Sequence, residues 1–400
     1  MMLLVLVALL SRSAFGLAPV VVPKVSLSGA ENRVWPWKDY SIRYVHSEPA
    51  KKKKKKKVAV VLVHGLFVNA DHWRYTAPAL CEEGYSVYAL DMLGSGYSSK
   101  PDPKCESAKK NSGERRLEED VVLVEGLGTA SGKLRAGRVA VPQRHPLNSP
   151  YNFYTWAEEV SDFLEDIVLK EDDIEGVAMI CNSIGCITGL LAAIAKPEVV
   201  RGVACVAPNF RELHVSENPK LAQPITEAVQ RLLRETQVGK WLFEKLATPD
   251  TVKQILKEPY HDLTNVDDAL VDALLTPLQL PGAREVVFDA LSYSAGPLPE
   301  QLLQHPNLTD VPIWISLGLK DPWTPKKRIA ALNRFDAVKQ VDLLDDCGHC
   351  PHDERPDIVN PLLLSFLASI DENDTGGDNR LLESVHPTTT ASPEAVLPPR

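Results

Sequence analysis

The feature that most constrains this chain is a serine placed between an apolar strand-like segment and a helix-like one. Residues 177–180 are all apolar, Ser183 follows closely, and small and apolar residues continue at once. So sharp a turn needs small side chains two positions either side of the serine. Gly185 meets this need, whereas Cys181 is slightly larger than the usual glycine. With Asn182 and Gly185 as support, the pattern is typical of an elbow that lifts a nucleophilic hydroxyl clear of a sheet.

By itself, this segment would equally suit an ordinary serine in a turn. A second predicted strand, however, ends in a His-Gly pair of the kind found beside such elbows. Residues 61–63 are apolar and lead into His64 and Gly65. Beside such elbows, backbone N–H groups bind the oxygen that becomes negative in the reaction, at about 3 kcal/mol per donor. We predict an oxyanion hole formed by the N–H groups of Leu66 and Ile184, with His64 holding the loop.

Two further loops supply an acid and a base. Asp321 lies just beyond the predicted strand 313–317, and His349 follows the predicted strand 340–344. The order serine, aspartate, histidine is the one that elbow-type hydrolases use. We predict that His349 removes the proton of Ser183, which attacks an ester carbonyl, and that Asp321 orients and stabilises the imidazolium. Water then hydrolyses the acyl-enzyme, and neither a metal nor a cofactor is predicted.

The cysteines favour a reducing compartment. There are seven, an odd number scattered along the chain, unlike the framework of a small disulfide-rich domain. Cys347 and Cys350 flank His349 in a C-x-x-C spacing that resembles the redox motif of disulfide isomerases. That motif works at a helix N-terminus of a thioredoxin fold, whereas here it follows the last predicted strand of another architecture. We therefore favour the catalytic histidine over a redox centre.

Strand-like and helix-like segments alternate along the chain. Residues 40–45 alternate like a half-buried strand, and residues 58–63 are continuously apolar like a central parallel strand. Further strands are predicted at 86–90, 177–180, 202–206, 313–317 and 340–344. One helical face is formed by Trp156, Val160, Phe163, Leu164 and Ile167. The alternation predicts an α/β fold, with a mainly parallel central sheet covered by helices on both faces.

Three segments interrupt this pattern. Residues 102–150 lack aromatic side chains and are predicted to be a flexible surface insertion, and residues 371–400 a disordered tail. Strand patterns stop over residues 210–299, which we predict to be a helical cap, or lid, over the active site. The core then comprises residues 35–209 and 300–370.

The distribution of charged residues limits which kinds of molecule the protein is expected to bind. The formal net charge is −9, which argues against general nucleic-acid binding. Residues 51–57 are seven consecutive lysines, for which a solvated hairpin loop is the favoured interpretation. The alternative is contact with an anionic membrane surface, at about 1 kcal/mol per lysine.

Residues 1–34 are predicted to be a targeting leader. Residues 1–10 form an apolar run too short to span a bilayer, and small residues follow. The junction around Phe15 resembles the two-part targeting sequences of algae with secondary plastids, and residues up to 28 include Lys24 but no acid. We predict import into a plastid, with secretion as the alternative.

Several motifs together resemble the pheophytinase family, to which algal chlorophyllases and chlorophyll dephytylases are related. They lie at residues 35–37, 41–44, 64–65 with 69–74, 91–101, 151–156, 293–299 and 348–351. Within residues 35–368 the insertion stands apart, and Cys181 and Cys186 replace glycines usual in the family. The resemblance implies an α/β-hydrolase fold and cleavage of the phytyl ester of chlorophyll-type pigments. Its substrate would be a small amphipathic ester, and the enzyme would be able to contact a membrane surface peripherally.

Other functions remain open. A generic lipid or carboxyl esterase of the same fold is the main alternative, and a non-catalytic ligand receptor is a further one. Epoxide hydrolases and haloalkane dehalogenases share the style of the 91–101 loop but need an aspartate at the elbow. Ser183 excludes their covalent mechanism.

Overall fold

The computed structural model describes residues 22–49, 53–209 and 247–374, together with His214, Thr236, Trp241 and Phe243. Residues 1–21 of the predicted leader, much of the first part of the predicted cap and residues 375–400 of the predicted tail lie outside this part of the chain.

Most strands of the described residues belong to one eight-stranded sheet. The strands in the described part are β1 (Asn32–Trp37), β2 (Tyr40–Ser47), β3 (Val58–Val63), β4 (Val87–Leu90), β5 (Val121–Val124), β6 (Val139–Pro142), β7 (Gly176–Asn182), β8 (Val200–Val206), β9 (Ile313–Gly318) and β10 (Val338–Leu344). The order across the sheet is β1-β2-β4-β3-β7-β8-β9-β10. In this sheet the β1–β2 and β2–β4 pairs are antiparallel, and all other pairs are parallel. The predicted mainly parallel α/β fold is confirmed.

Helices connect these strands and cover the sheet. They are α1 (Thr76–Glu82), α2 (Glu106–Lys110), α3 (Phe153–Asp166), α4 (Gly185–Ala195), α5 (Pro249–Leu256), α6 (Asp268–Leu278), α7 (Ala283–Leu291), α8 (Pro299–Leu303), α9 (Lys326–Ala330), α10 (Pro351–Glu354) and α11 (Pro356–Asp374). Helices α5, α6 and α7 fall between β8 and β9, where the sequence predicts a cap. Among the described residues, no helix combines the length and apolar character needed to cross a membrane.

Strand β3 shows how the sheet separates two cores. All six of its residues are buried. Because successive side chains of a strand point to opposite faces, Val61 and Val63 pack in one core cluster with α3 and α4 residues. Val60 and Leu62 pack in a second cluster with residues of α1 and α11. Burial on both faces explains the unbroken apolar run of this strand.

The parallel strands bring the predicted site residues to one edge of the sheet. Gly65 follows the end of β3, Ser183 the end of β7, Asp321 the end of β9 and His349 the end of β10. In open α/β sheets, ligands bind beyond the carboxyl ends of the strands. Residues far apart in sequence therefore meet at one place.

The structure corrects the two outer boundaries. Strand β1 begins at Asn32, and the Leu27 N–H already donates to Asp71 Oδ1 at 2.8 Å. A leader ending at residue 34 would therefore include part of a paired strand. Helix α11 continues to Asp374, and Asp371, assigned to the tail, accepts a 2.9 Å hydrogen bond from the Tyr85 hydroxyl. Apolar residues of α11 up to Ile370 pack in the second core cluster, and the helix and the Asp371 contact extend the fold past that residue.

The prediction of a flexible insertion is also wrong. Residues 102–150 contain α2 and a two-stranded antiparallel sheet of β5 and β6. Val124, Leu127 and Val141 are buried in a small cluster with Leu298. Aliphatic side chains alone thus supply a local core that the missing aromatic residues had argued against.

The described part of the lysine run pairs with acidic side chains. Lys53 contacts Glu83 and Lys56 contacts Asp371, both at 2.9 Å, while Lys55 contacts Glu171 at 2.7 Å. Pairs this exposed contribute about 0–1 kcal/mol each. They fit a solvated loop between β2 and β3, and membrane contact by the run stays a prediction.

Candidate active site

The turn at Ser183 is strained and tightly packed. Ser183 has a φ of 55°, in the left-handed region that costs a non-glycine residue about 1–3 kcal/mol. A Cβ at Gly185 would lie 2.5 Å from the His64 carbonyl oxygen, and a Cβ at Gly65 would lie 3.0 Å from Ser183 Cβ. Neither position has room for a side chain. The two glycines let β3 approach the elbow closely, and the serine is lifted at the end of β7.

Cys181 is accommodated at this elbow by a glycine that sequence reasoning missed. A Cβ at Gly189 would lie 2.3 Å from Cys181 Sγ but 3.6 Å from Cys181 Cβ. The first distance is shorter than atoms tolerate, and the second is an ordinary contact. The Cys181 sulfur therefore occupies the space that a side-chain methyl group at position 189 of α4 would need.

We expect Gly189→Ala to destabilise the protein and Cys181→Ala to relieve much of that loss. Overpacking a buried site costs about 1–3 kcal/mol, more than the gain of up to about 1 kcal/mol from alanine in a helix. Urea unfolding of the two single variants and the double variant measures the coupling. As a control, Cys347→Ala removes a thiol from the other core cluster and should give no relief. Strictly additive losses for the 181/189 pair would contradict this explanation.

The structure brings the three predicted catalytic side chains together. His349 Nε2 lies 2.9 Å from Ser183 Oγ, and His349 Nδ1 lies 2.7 Å from Asp321 Oδ2. Both distances are those of hydrogen bonds. The histidine is buried, as are the side chains of its two partners. The arrangement allows a proton to pass from the serine to the imidazole while the carboxylate holds the opposite nitrogen.

Asp321 is held so that one particular oxygen faces the histidine. Its Oδ1 accepts hydrogen bonds from the N–H groups of Trp323, at 2.8 Å, and Thr324, at 3.1 Å. Its Oδ2 is left for His349. Two backbone donors on one oxygen thus set the orientation of the whole carboxylate.

The loop that carries His349 is anchored by residues both before and after it in sequence. The His349 N–H donates to the Pro259 carbonyl at 2.6 Å, and the Gly348 N–H donates to Glu354 Oε2 at 2.9 Å. The Trp323 ring contacts the imidazole edge to face, with centroids 4.6 Å apart. Sequence spacing carries no signal for the Pro259 contact, because it joins the loop to the connection between α5 and α6.

A buried polar network lies behind this loop and carries no second positive histidine. The Tyr260 hydroxyl donates to Asp353 Oδ2 at 2.8 Å and lies 2.8 Å from His72 Nε2. Burial lowers the pKa of His72 to about 4, and burial also holds the pKa of His352 well below its usual value. Both rings are neutral near pH 7, so neither opposes a positive charge on His349.

The predicted oxyanion residues line the same cavity as the serine. Leu66, Ile184 and Ser183 all contribute to its wall. His64 supports the loop as expected, because its Nε2 accepts from the Met92 N–H at 3.0 Å and its Nδ1 is 2.7 Å from the Gly65 carbonyl. Burial lowers the pKa of His64, which keeps it neutral and able to accept. Binding of an oxyanion by Leu66 and Ile184 stays a prediction.

Asn182 links the elbow to the histidine loop. Its Nδ2 donates to the Val206 carbonyl at 3.1 Å and approaches the His349 carbonyl at 3.4 Å. The sequence predicts Asn182 only as support for the turn, so this second contact is new.

The serine and histidine open into a cavity of about 580 Å³. Helices α5, α6 and α7 contribute apolar side chains to it, namely Val252, Leu256, Leu274, Leu278, Phe288 and Leu291. The aromatic residues Phe153, Trp156 and Tyr293 also line the cavity. A cavity of this size and lining suits a largely apolar ligand with one reacting polar group.

A family model described as the alpha/beta hydrolase family matches residues 60–362, a range that includes Ser183, Asp321 and His349. The chain belongs to the alpha/beta hydrolase family. One curated relative of this α/β-hydrolase is the chloroplastic pheophytinase of Arabidopsis thaliana, 24% identical over 341 residues. That alignment covers 82% of this chain and 64% of the relative, so the chain spans less than two thirds of the relative's length. The predicted resemblance to pheophytinase is confirmed.

Solved structures share the fold of this α/β-hydrolase at low identity. A membrane phospholipase A that is a bacterial virulence factor matches with a TM-score of 0.56 and 19% identity, covering 86% of this chain and 87% of that one. An epoxide hydrolase matches at 0.54 and 16%, covering 84% and 98%. A variant of a haloalkane dehalogenase from Agrobacterium tumefaciens matches at 0.56 and 17%, covering 86% and 99%. Their different activities show that this fold does not determine the chemistry.

The cysteines of the α/β-hydrolase are free thiols. Cys347 packs in the core cluster with α11, whereas Cys350 packs in a separate cluster with α5 and α6. Burial raises the pKa of Cys347 to about 12, the opposite of what a reactive redox thiol needs. In the part of the chain that the structure describes, no group of three or more histidine, cysteine or acidic side chains is placed to hold a metal ion.

Proposed function

We propose that this α/β-hydrolase cleaves carboxylic esters and that its substrate is the phytyl ester of chlorophyll-type pigments. The observation that carries the proposal is the contact of Ser183 with His349, both of which line an apolar cavity. A nucleophile with its base in such a cavity suits an ester whose bulk is hydrocarbon.

The chemistry begins with proton transfer. His349 Nε2 takes the proton of Ser183 Oγ across 2.9 Å as the oxygen attacks the ester carbonyl. Asp321 stabilises the imidazolium, and the N–H groups of Leu66 and Ile184 bind the oxyanion. The imidazolium then protonates the departing alcohol, and water activated by His349 hydrolyses the acyl-enzyme.

Two features support the pigment as substrate. The relative named pheophytinase matches over 82% of this chain, and the cavity walls are mainly apolar. Burying hydrocarbon from water gains about 0.8 kcal/mol per CH₂, but a phytyl tail leaves a membrane, so its transfer gains little. We therefore expect strong discrimination among ring types and weak discrimination among long prenyl alcohols.

Hydrolysis of lipid or simple carboxylic esters is the second candidate. The apolar cavity itself favours it, since the wall residues supply few polar groups that would be specific to a tetrapyrrole. This function needs the same serine and histidine but no preference for pigments.

The test is incubation with chlorophyll a, pheophytin a and a nitrophenyl butyrate, comparing the wild-type protein with Ser183→Ala. We expect release of phytol by the wild type and no release by the variant. Ser131→Ala, at an exposed position, is the matched control and should behave as wild type. Hydrolysis of the nitrophenyl ester without any pigment turnover would assign the enzyme to the second candidate. Equal activity in Ser183→Ala would reject the mechanism.

We further propose that the protein acts in a plastid. The support is the pattern of residues 1–21, which lie outside the described residues, and the word chloroplastic in the name of the relative. A fluorescent protein fused behind residues 1–31 should enter the plastid of an alga with secondary plastids. Delivery of the fusion to the medium would instead support secretion.

A further inference from the structure

Residues 142–145, which we call the support segment, lie directly behind one wall of the active-site cavity. The Pro142 carbonyl accepts a 2.9 Å hydrogen bond from the Gly296 N–H, and Gln143 Oε1 accepts one of 2.5 Å from the Tyr154 hydroxyl. The partners belong to the two stretches that carry Phe153 and Tyr293, both wall residues. The segment that sequence patterns predict as flexible therefore contacts the backbone and side chains that shape the cavity.

His145 makes the central contact of this segment. Its ring stacks on Tyr293, with centroids 4.9 Å apart and an interplanar angle of 17°. Its Nδ1 accepts from the Leu147 N–H at 3.0 Å, so Nε2 carries the proton and donates to the Asp289 carbonyl at 3.0 Å. The ring is thus held at both nitrogens as well as at one face.

The stack continues into the cavity wall. The Tyr293 ring packs on Phe153 with centroids 4.9 Å apart, and Phe153 packs on Trp156 at 5.9 Å. Gly296, with a φ of 108°, leaves no room for a Cβ, which would lie 2.7 Å from both the Phe153 ring and the Tyr293 hydroxyl. A shift of the His145 ring would therefore displace the Tyr293 and Phe153 rings along with it.

The support segment is itself anchored on the side away from the cavity. Glu114 Oε1 accepts a 2.7 Å hydrogen bond from the His145 N–H, and both residues are buried. The Gly113 N–H donates to Thr155 Oγ1 at 2.9 Å, which ties this stretch to the start of α3. The contacts leave His145 little freedom to move independently of the wall.

We propose that His145 is a specificity-determining positioning residue, which sets the Tyr293–Phe153 wall so that the cavity accepts a bulky planar ester. This inference rests on the proposed ester hydrolysis but not on the pigment. His145 does not line the cavity, so its effect passes through Tyr293. The hydrolysis of small esters that do not contact this wall should not depend on His145.

The test compares two nitrophenyl esters that share a leaving group, the acetate and the pyrenebutyrate. In His145→Ala we expect kcat/KM for the pyrenebutyrate to fall about tenfold, mainly through KM, because a displaced wall misplaces the bulky group. The values for the acetate should stay within about twofold, since the reacting centre is unchanged. His145→Phe keeps an aromatic face and should recover part of the loss. Arg138→Ala changes an exposed side chain shortly before the support segment. It is the control and should leave kcat/KM for both esters unchanged.

Each outcome decides the proposal. An equal fall for both esters in His145→Ala, or no fall for either, would overturn it, and a melting curve recorded in parallel shows whether an equal fall reflects unfolding. If His145→Ala does not fold, His145→Phe must still show the selective loss. A wild-type protein that cleaves the nitrophenyl esters but no pigment refutes the pigment substrate and leaves this test intact. A wild type inactive on both esters overturns the ester hydrolase and this inference together.

Discussion

Asp321→Asn is expected to lower kcat about 10⁴-fold while leaving the protein folded. The Trp323 and Thr324 N–H groups both donate to Oδ1, so an asparagine must place its carbonyl oxygen there. Its NH₂ group then replaces Oδ2 and donates to His349 Nδ1. The histidine is forced to carry its proton on Nε2, which faces Ser183, and it cannot accept the serine proton.

The measurement is single-turnover and steady-state hydrolysis of a nitrophenyl ester, with circular dichroism to verify folding. Asp346→Asn is the control, because this side chain lies on the neighbouring loop and is 71% exposed. We expect it to retain wild-type kcat. A loss of less than about tenfold in Asp321→Asn would show that the carboxylate does not set the tautomer of His349.

Arg43→Met is expected to cost about 3–5 kcal/mol of unfolding free energy, the largest stability effect we predict. Arg43 is almost fully buried, and its guanidinium contacts Asp91 Oδ1 and Asp71 Oδ2, both at 2.9 Å. Removing it leaves two carboxylates buried near each other with no cation between them. Even in the wild type, burial raises the pKa of Asp71 despite the arginine.

The loss should depend on pH in a defined direction. Without the guanidinium, burial raises the pKa of Asp71 further above its value in the unfolded chain, so the unfolded chain releases this proton first as the pH rises. The destabilisation is therefore greatest near pH 7 and shrinks as the pH falls towards 4, because the folded state takes up this proton at a higher pH than the unfolded chain does. Urea unfolding of the variant and the wild type across this range measures it.

A surface pair supplies the matched control. Lys53 pairs with Glu83, and both side chains are about half exposed, so Lys53→Met should cost less than about 1 kcal/mol. Adding Asp71→Asn to Arg43→Met should recover part of the loss. Similar costs for Arg43→Met and Lys53→Met would show that burial does not control the strength of these pairs.

Local patterns were enough to predict seven strands of the main sheet and the order of the site residues, but not β1, β5 or β6. The continuous apolar run at β3 and the apolar stretch before Ser183 are properties of adjacent residues, because burial on both faces of a sheet leaves no polar position. The positions of Asp321 and His349 after β9 and β10 follow from the same patterns. Given a parallel sheet, strand ends must share an edge, so the meeting of the three side chains could be anticipated.

Composition alone misjudged residues 102–150. The absence of aromatic side chains suggested flexibility, yet Val124, Leu127 and Val141 find a partner in Leu298, more than a hundred positions away. A burial that depends on a distant partner leaves no trace in local hydrophobicity. The same limit hid the pairing of Gly189 with Cys181, since each residue is ordinary when read by itself.

By itself, the sequence determined which chemical groups the chain carries and the alternation of strands and helices that places them at one edge of a sheet. Only the tertiary structure decided how the groups are oriented: which oxygen of Asp321 faces His349, which carbonyl holds the histidine loop, and which ring supports Tyr293. The physical reason is how far apart along the chain the interacting residues lie. Strand and helix formation depends on neighbours along the chain, whereas hydrogen-bond direction and ring stacking depend on residues that become neighbours only after folding.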